Sequence, residues 1–121
     1  MAINRILLYV RDVDESARFY ETHFGFRIRK ETGDRIVELV AGDGGASLML
    51  HPAAKGQRFG QSVVKLVFDV EDVSAFRARA VRAGLEFGPV HEADGYAFAN
   101  ARDPSGNPIS ISGRAFRRED G

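Results

Sequence analysis

The chain repeats itself. Slid along its own sequence by sixty residues, Arg5-Ile6-Leu7-Leu8-Tyr9-Val10-Arg11-Asp12-Val13 lies over Lys65-Leu66-Val67-Phe68-Asp69-Val70-Glu71-Asp72-Val73. Charge falls on charge, apolar on apolar, and Asp-Val on Asp-Val. The register returns further on. Asp43, a glycine turn and Ser47-Leu48-Met49-Leu50-His51 answer Asp103, a glycine turn and Pro108-Ile109-Ser110-Ile111-Ser112. A repeat of about half a chain that ends in matched strands predicts two copies of one supersecondary unit, packed as a pseudo-twofold pair.

Each copy reads as β-α-β-β-β. In the first, residues 3–10 alternate as a strand, with Ile6, Leu8 and Val10 on one face. Asp12 is a helix N-cap with Glu15 three residues on, and Gly25 is the stop. Val13, Ala17, Tyr20 and Phe24 form the apolar stripe between them. Strands are predicted at 26–30, 35–40 and 47–51, separated by turns at Thr32-Gly33-Asp34 and Gly42-Asp43-Gly44-Gly45. The second copy predicts a strand over 62–70 and a helix capped by Asp72 and ended by Gly84. Its stripe is Val73, Phe76 and Ala80; Arg77, Arg79 and Arg82 form a solvated face. Strands follow at 85–90, 96–101 and 108–112. The expected organisation is a single domain over 1–121. Module one spans about 3–52, a polar linker 53–61, module two about 62–113, and a frayed polar tail 114–121. The fold class is α+β: two modules forming a curved eight-stranded mixed sheet.

Totals exclude several function classes. Seventeen basic and seventeen acidic residues cancel, so nothing draws the chain toward nucleic acid or an anionic membrane. There is no cysteine, hence no thiolate nucleophile and no Cys-based zinc site. MAINRILLYV has no long apolar core or cleavage site, and no apolar run reaches membrane-spanning length. A cytoplasmic protein is the expectation.

The matched strands carry the functional signal. One face of each is strongly apolar: Ile6, Leu8, Val10; Leu48, Leu50; Val64, Leu66, Phe68, Val70; Ile109, Ile111. Those residues should pack beneath the helices. The other face is mixed: Arg5, Leu7, Tyr9; Ser47, Met49, His51; Val63, Lys65, Val67, Asp69; Ser110, Ser112. Such a face is either solvated or lines a concavity. Its large apolar members favour a concavity, a cup floored by both modules.

The motifs carry a family resemblance. Val10-Arg11-Asp12-Val13 with Ser16, Phe19-Tyr20 and Phe24-Gly25-Phe26 resembles the opening of the vicinal oxygen chelate superfamily, the glyoxalase, bleomycin-resistance and extradiol-dioxygenase fold. Phe68-Asp69-Val70-Glu71-Asp72-Val73 resembles its second opening, and Asp103-Pro104-Ser105-Gly106-Asn107-Pro108-Ile109 its closing turn. The resemblance covers nearly the whole chain and implies the fold. It does not choose a function, because this fold hosts metalloenzymes and metal-free binding proteins alike.

Metal-dependent members place one ligand on each of four central strands, facing the cup. Counted from the motifs, the four positions fall on Arg5, on Met49 or within one residue of it, on Lys65 and on Ser110. None is a normal ligand. A guanidinium cannot give up its proton and an ammonium does so reluctantly; Ser and thioether suit hard ions poorly. The Lewis-acid chemistry of those members does not carry over, and neither metal nor cofactor is expected. Of the three histidines, His51 lies on the mixed face and His23 at a helix end, where a dipole contact or solvent is expected. His91 falls in a loop. Their scatter shows no metal spacing.

The expected function is metal-independent binding of a small organic molecule, anionic or aromatic, as in the drug-sequestering members the chain resembles. The expected ligand-binding residues are Arg5, Leu7, Tyr9, Met49, His51, Lys65, Val67 and Ser110. An alternative is a metal-free isomerase or lyase using His51, Tyr9 or Lys65 for proton transfer. A third is a non-catalytic interaction module. Arg5 and Lys65, at equivalent places in the repeats, need partners: either internal acids, Glu38 or Asp69, or a ligand's anionic group. A homodimer is expected, from the resemblance and from sheet edges that need covering.

Overall fold

The structure is a computed structural model that describes residues 1–118. Its order is β1 (Arg5–Val10), α1 (Val13–Phe24), β2 (Arg27–Arg29), β3 (Val37–Val40) and β4 (Ser47–Pro52), then β5 (Leu66–Asp69), α2 (Val73–Arg82), β6 (His91–Ala93), β7 (Tyr96–Arg102) and β8 (Pro108–Ser112). A short 3-10 turn, Arg114–Phe116, follows. The eight strands form two four-stranded sheets with orders β1-β4-β3-β2 and β5-β8-β7-β6. In each, the first strand pairs in parallel with the last and the remaining ladders are antiparallel. The two β-α-β-β-β modules are thus two compact units, Met1–Phe59 and Gly60 onward.

In the first unit Asp12 is extended and its carboxylate accepts from the Glu15 N–H at 3.0 Å, so the helix starts where one orphan donor is met. Gly25 ends it at φ 72°, a left-handed conformation that costs a glycine nothing. Ala17 and Tyr20 of α1 are buried with Val10, Val37, Leu39, Leu48 and Leu50, the helix-side set of the sheet. In the second unit Asp72 accepts from the Ala75 N–H at 3.0 Å. Val73 and Ala80 are buried with Leu66, Ala99, Ile109 and Ile111.

Four expectations change. No strand forms over 85–90. The Gly88 N–H donates to the Asn100 carbonyl at 2.8 Å and its own carbonyl accepts from Arg77 Nε at 2.7 Å, so both groups are taken before a ladder extends. Leu85 and Phe87 are core residues on this irregular stretch, and the strand falls at 91–93, taking His91 out of a loop. Arg77 is therefore a structural donor, not simply part of a solvated face. Second, the strand expected from Ser62 starts at Leu66. The Ser62 hydroxyl accepts from the Val64 N–H and donates to the Val64 carbonyl, a local turn that competes with pairing. Val64, expected in the core, is 64% exposed. Third, β3 starts at Val37, because the Asp34 carboxylate caps the Ile36 N–H at 2.9 Å. Fourth, the tail expected to fray opens with the ordered turn 114–116; its residues 119–121 lie outside the described residues.

Candidate functional site

The mixed faces are the sheet faces away from the helices, and each unit builds its own. In the first, register sets Leu7 beside Met49 and Met49 beside Glu38, with Arg5 beside Ser47 and Tyr9 beside His51. Arg5 Nε donates to Glu38 Oε1 at 3.3 Å. Exposed pairs of this kind contribute about 0–1 kcal/mol, so the bond orients Arg5 more than it stabilises the unit. Tyr9 and His51 meet edge to face, with centroids 5.6 Å apart. The His51 Nδ1 lies 2.7 Å from the Pro52 carbonyl oxygen. A carbonyl only accepts, so Nδ1 carries a proton and donates there, and the second ring nitrogen, Nε2, is the one left for an incoming group. His23 packs against Phe19 at 4.9 Å, and partial burial lowers its pKa from the ordinary histidine value.

In the second unit the corresponding positions differ in chemistry. Lys65 Nζ donates to Asn100 Oδ1 at 3.0 Å, not to Asp69. Glu38 and Asn100 hold equivalent places, each one strand beyond a last-strand neighbour, Met49 and Ser110. The two cations are thus anchored alike, one to a carboxylate and one to a neutral amide. Ser110 is buried between Val67 and Asn100 in register. The Tyr9–His51 pair is matched by Asp69 beside Ser112.

Beyond Ser112 the chain turns over the end of this face. The Gly113 N–H donates to the Ala97 carbonyl at 2.9 Å, and a Cβ on Gly113 would stand 3.4 Å from the Val70 carbonyl oxygen. The Arg114 N–H donates to the Ser112 hydroxyl at 3.1 Å. With about three residues per turn, residues i and i+3 of a 3-10 turn eclipse. Arg114 and Arg117 therefore share one side, and both stand over Tyr96, their guanidinium carbons 5.3 and 5.8 Å from its ring centre. Arg114 Nη1 also donates to the Tyr96 hydroxyl at 3.2 Å. The turn borders an open cavity of about 380 Å³ lined by Val67, Asp69, Ser112, Arg114, Ala115 and Arg117.

Of the ligand-binding residues expected from sequence, only Val67 lines this cavity. Arg5, Leu7, Tyr9, Met49 and His51 lie together on the first unit's face; Lys65 and Ser110 lie beside Val67 on the second's. Arg114, Ala115 and Arg117 were missed. Their signal was present: a glycine directly after the last strand, then two arginines three apart. Among the described residues no three His, Cys, Asp or Glu side chains come together as a metal site. Arg5, Met49, Lys65 and Ser110 do not make a donor set for a divalent ion.

The family model of the Glyoxalase/Bleomycin resistance protein/Dioxygenase superfamily matches residues 2–111. The chain belongs to this superfamily. Its fold is that of several solved structures. UcmS2 shares 21% identity at a TM-score of 0.79, over 93% of this chain and 98% of that one. TnmS3, an antibiotic binding protein from Streptomyces sp. CB03234, shares 21% at 0.75, over 92% and 93%. A lactoylglutathione lyase from Agrobacterium tumefaciens shares 22% at 0.70, over 92% of each. No curated protein matches the chain. Among the described residues no helix is long and apolar enough to cross a membrane. Within the superfamily, then, this chain pairs the fold with a mixed sheet face in each unit, cationic at Arg5 and Lys65.

Proposed function

We propose that this chain binds a small organic molecule, aromatic or anionic, without a metal ion, acting as one domain over 1–121 in the cytoplasm. The observation that supports the reading is the side-chain set at the positions where the family resemblance puts metal ligands: Arg5, Met49, Lys65 and Ser110 stand there, and Arg5 and Lys65 are engaged by Glu38 and Asn100. TnmS3, an antibiotic binding protein on the same fold, supports a binding role. The test is a thermal-shift screen of aromatic and carboxylate compounds on untreated and chelator-treated protein, with elemental analysis alongside. Ligands should raise the melting temperature equally in both samples, and no divalent metal should be stoichiometric. About one nickel, zinc, iron or manganese per chain, or a shift lost on chelation, sinks the reading.

One observation favours a second reading, a metal-free isomerase or lyase. The His51 Nε2 is left for an incoming group beside the Tyr9 ring, as proton transfer requires. A lactoylglutathione lyase of similar fold supports an enzymatic reading. Turnover that disappears in His51→Gln while ligand shifts persist separates this reading from pure binding.

The protein is also expected to be a homodimer. Each sheet ends on two edge strands, and exposed edges invite association unless covered. Val63 and Val64 stand exposed just before the edge strand β5. Light scattering should give twice the 13.3 kDa chain mass; a monomer at micromolar concentration refutes it.

A further inference from the structure

We propose that the cavity under the C-terminal turn is a site for a small zwitterion with an apolar side chain, of the α-amino-acid type. Its carboxylate is taken by Arg114 and Arg117, and its ammonium by Asp69. The inference rests on the metal-free binding reading and names the ligand class for it.

Three observations carry it. The first is charge of both signs held apart in one cavity. Asp69 of β5 and the two arginines line the same space. Yet among the described residues no ion pair joins Asp69 to either arginine. Opposite charges that do not meet leave a span for a molecule carrying both. A simple anion would satisfy the guanidiniums but would face the Asp69 carboxylate without a donor, and like charges across a site disfavour binding.

The second is preorganisation of the anion end. The turn is tied at Gly113 to Ala97 and at Arg114 to Ser112. Tyr96 supports both guanidiniums from below, and its hydroxyl takes one N–H of Arg114. A guanidinium has five N–H donors in a planar fork, so the remaining ones stay available for a carboxylate. Side chains held this way lose little freedom on binding.

The third is what lies between the charged ends. Val67 and Ala115 give an apolar wall. The buried Ser112 hydroxyl accepts from the Arg114 N–H and so keeps its own proton to donate. About 380 Å³ is in the range of small-molecule sites.

Calorimetry on the full chain with three probes tests it: L-phenylalanine, N-acetyl-L-phenylalanine, which keeps only the anion, and L-phenylalaninamide, which keeps only the cation. Phenylalanine should bind about tenfold or more tighter than either analogue. Asp69→Asn should erase its advantage over the N-acetyl compound and leave that over the amide. Arg117→Gln should do the reverse. Both side chains line the open cavity rather than the core, and melting curves confirm that each variant folds. If the N-acetyl compound binds as tightly as phenylalanine, or if Asp69→Asn changes nothing, the zwitterion inference is overturned while metal-free binding stands. If none of the three binds the wild type, the inference is also overturned, and the wider aromatic and carboxylate screen alone then decides whether the chain binds small molecules.

Discussion

Asp103→Ala should cost about 2–4 kcal/mol of unfolding free energy, measured by urea denaturation. Asp103 is only 5% exposed and its carboxylate is the hub of the closing turn. Oδ1 accepts from the Ser105 and Asn107 N–H groups at 2.9 Å each, and Oδ2 from Asn107 Nδ2 at 3.0 Å. Alanine leaves those donors without an acceptor in a region water reaches poorly, and each stranded buried donor costs about 1–3 kcal/mol. Asp103→Asn keeps one oxygen and should cost less than half as much. The repeat supplies an internal control. Asp43 holds the matching place in module one, is exposed, and accepts from the Gly45 N–H at 3.2 Å; its alanine variant should stay within about 1 kcal/mol of wild type. Equal losses at the two positions would mean that burial is not what gives the hub its weight. The same turn joins β7 to β8 and so aligns Asn100 with Ser110 and Phe98 with Ser112. Ligand affinity should therefore fall in Asp103→Ala even below its unfolding midpoint.

The fold was legible because local and long-range signals agreed. The sixty-residue register, Asp12 and Asp72 as caps, and glycine at position 25 all describe geometry that one residue type dictates within a few positions. What the sequence hid were competitions. Ser62 against the start of β5, and Arg77 with Asn100 against a strand at 85–90, are decided by a side chain or carbonyl whose position depends on tertiary packing. Alternation alone favours a strand in both places. The candidate site was legible by face and not by residue. Parity put Val67, Asp69 and Ser112 on the mixed face. Three cavity residues come instead from a segment whose polar composition reads as a tail. Composition cannot report that Gly113 lets the backbone approach Val70 and Ala97, and that contact turns residues 114–117 back over the sheet.

The second large effect belongs to module one. Tyr20→Ala should destabilise by about 3–5 kcal/mol, the range for removing a large buried ring. Tyr20 is fully buried on the face of α1 that meets the sheet. Its ring stands edge to face with Phe26 at 6.1 Å and with Phe19 at 5.1 Å, both near perpendicular. Such geometry adds about 0.5–1.5 kcal/mol per pair beyond the area buried. Ala17, one turn earlier on α1, is too small to fill the gap. Tyr20→Phe keeps both ring contacts and separates packing from the hydroxyl. If packing dominates, the Phe variant should retain most of the stability that Ala loses. The cavity lies in the second unit, so ligand affinity offers an independent reading. Folded Tyr20→Ala should keep the phenylalanine affinity of the wild type at temperatures well below its lowered melting point. Loss of affinity without loss of stability would show that Tyr20 serves the ligand. A stability loss under about 1 kcal/mol would show that the ring is not the keystone its burial indicates.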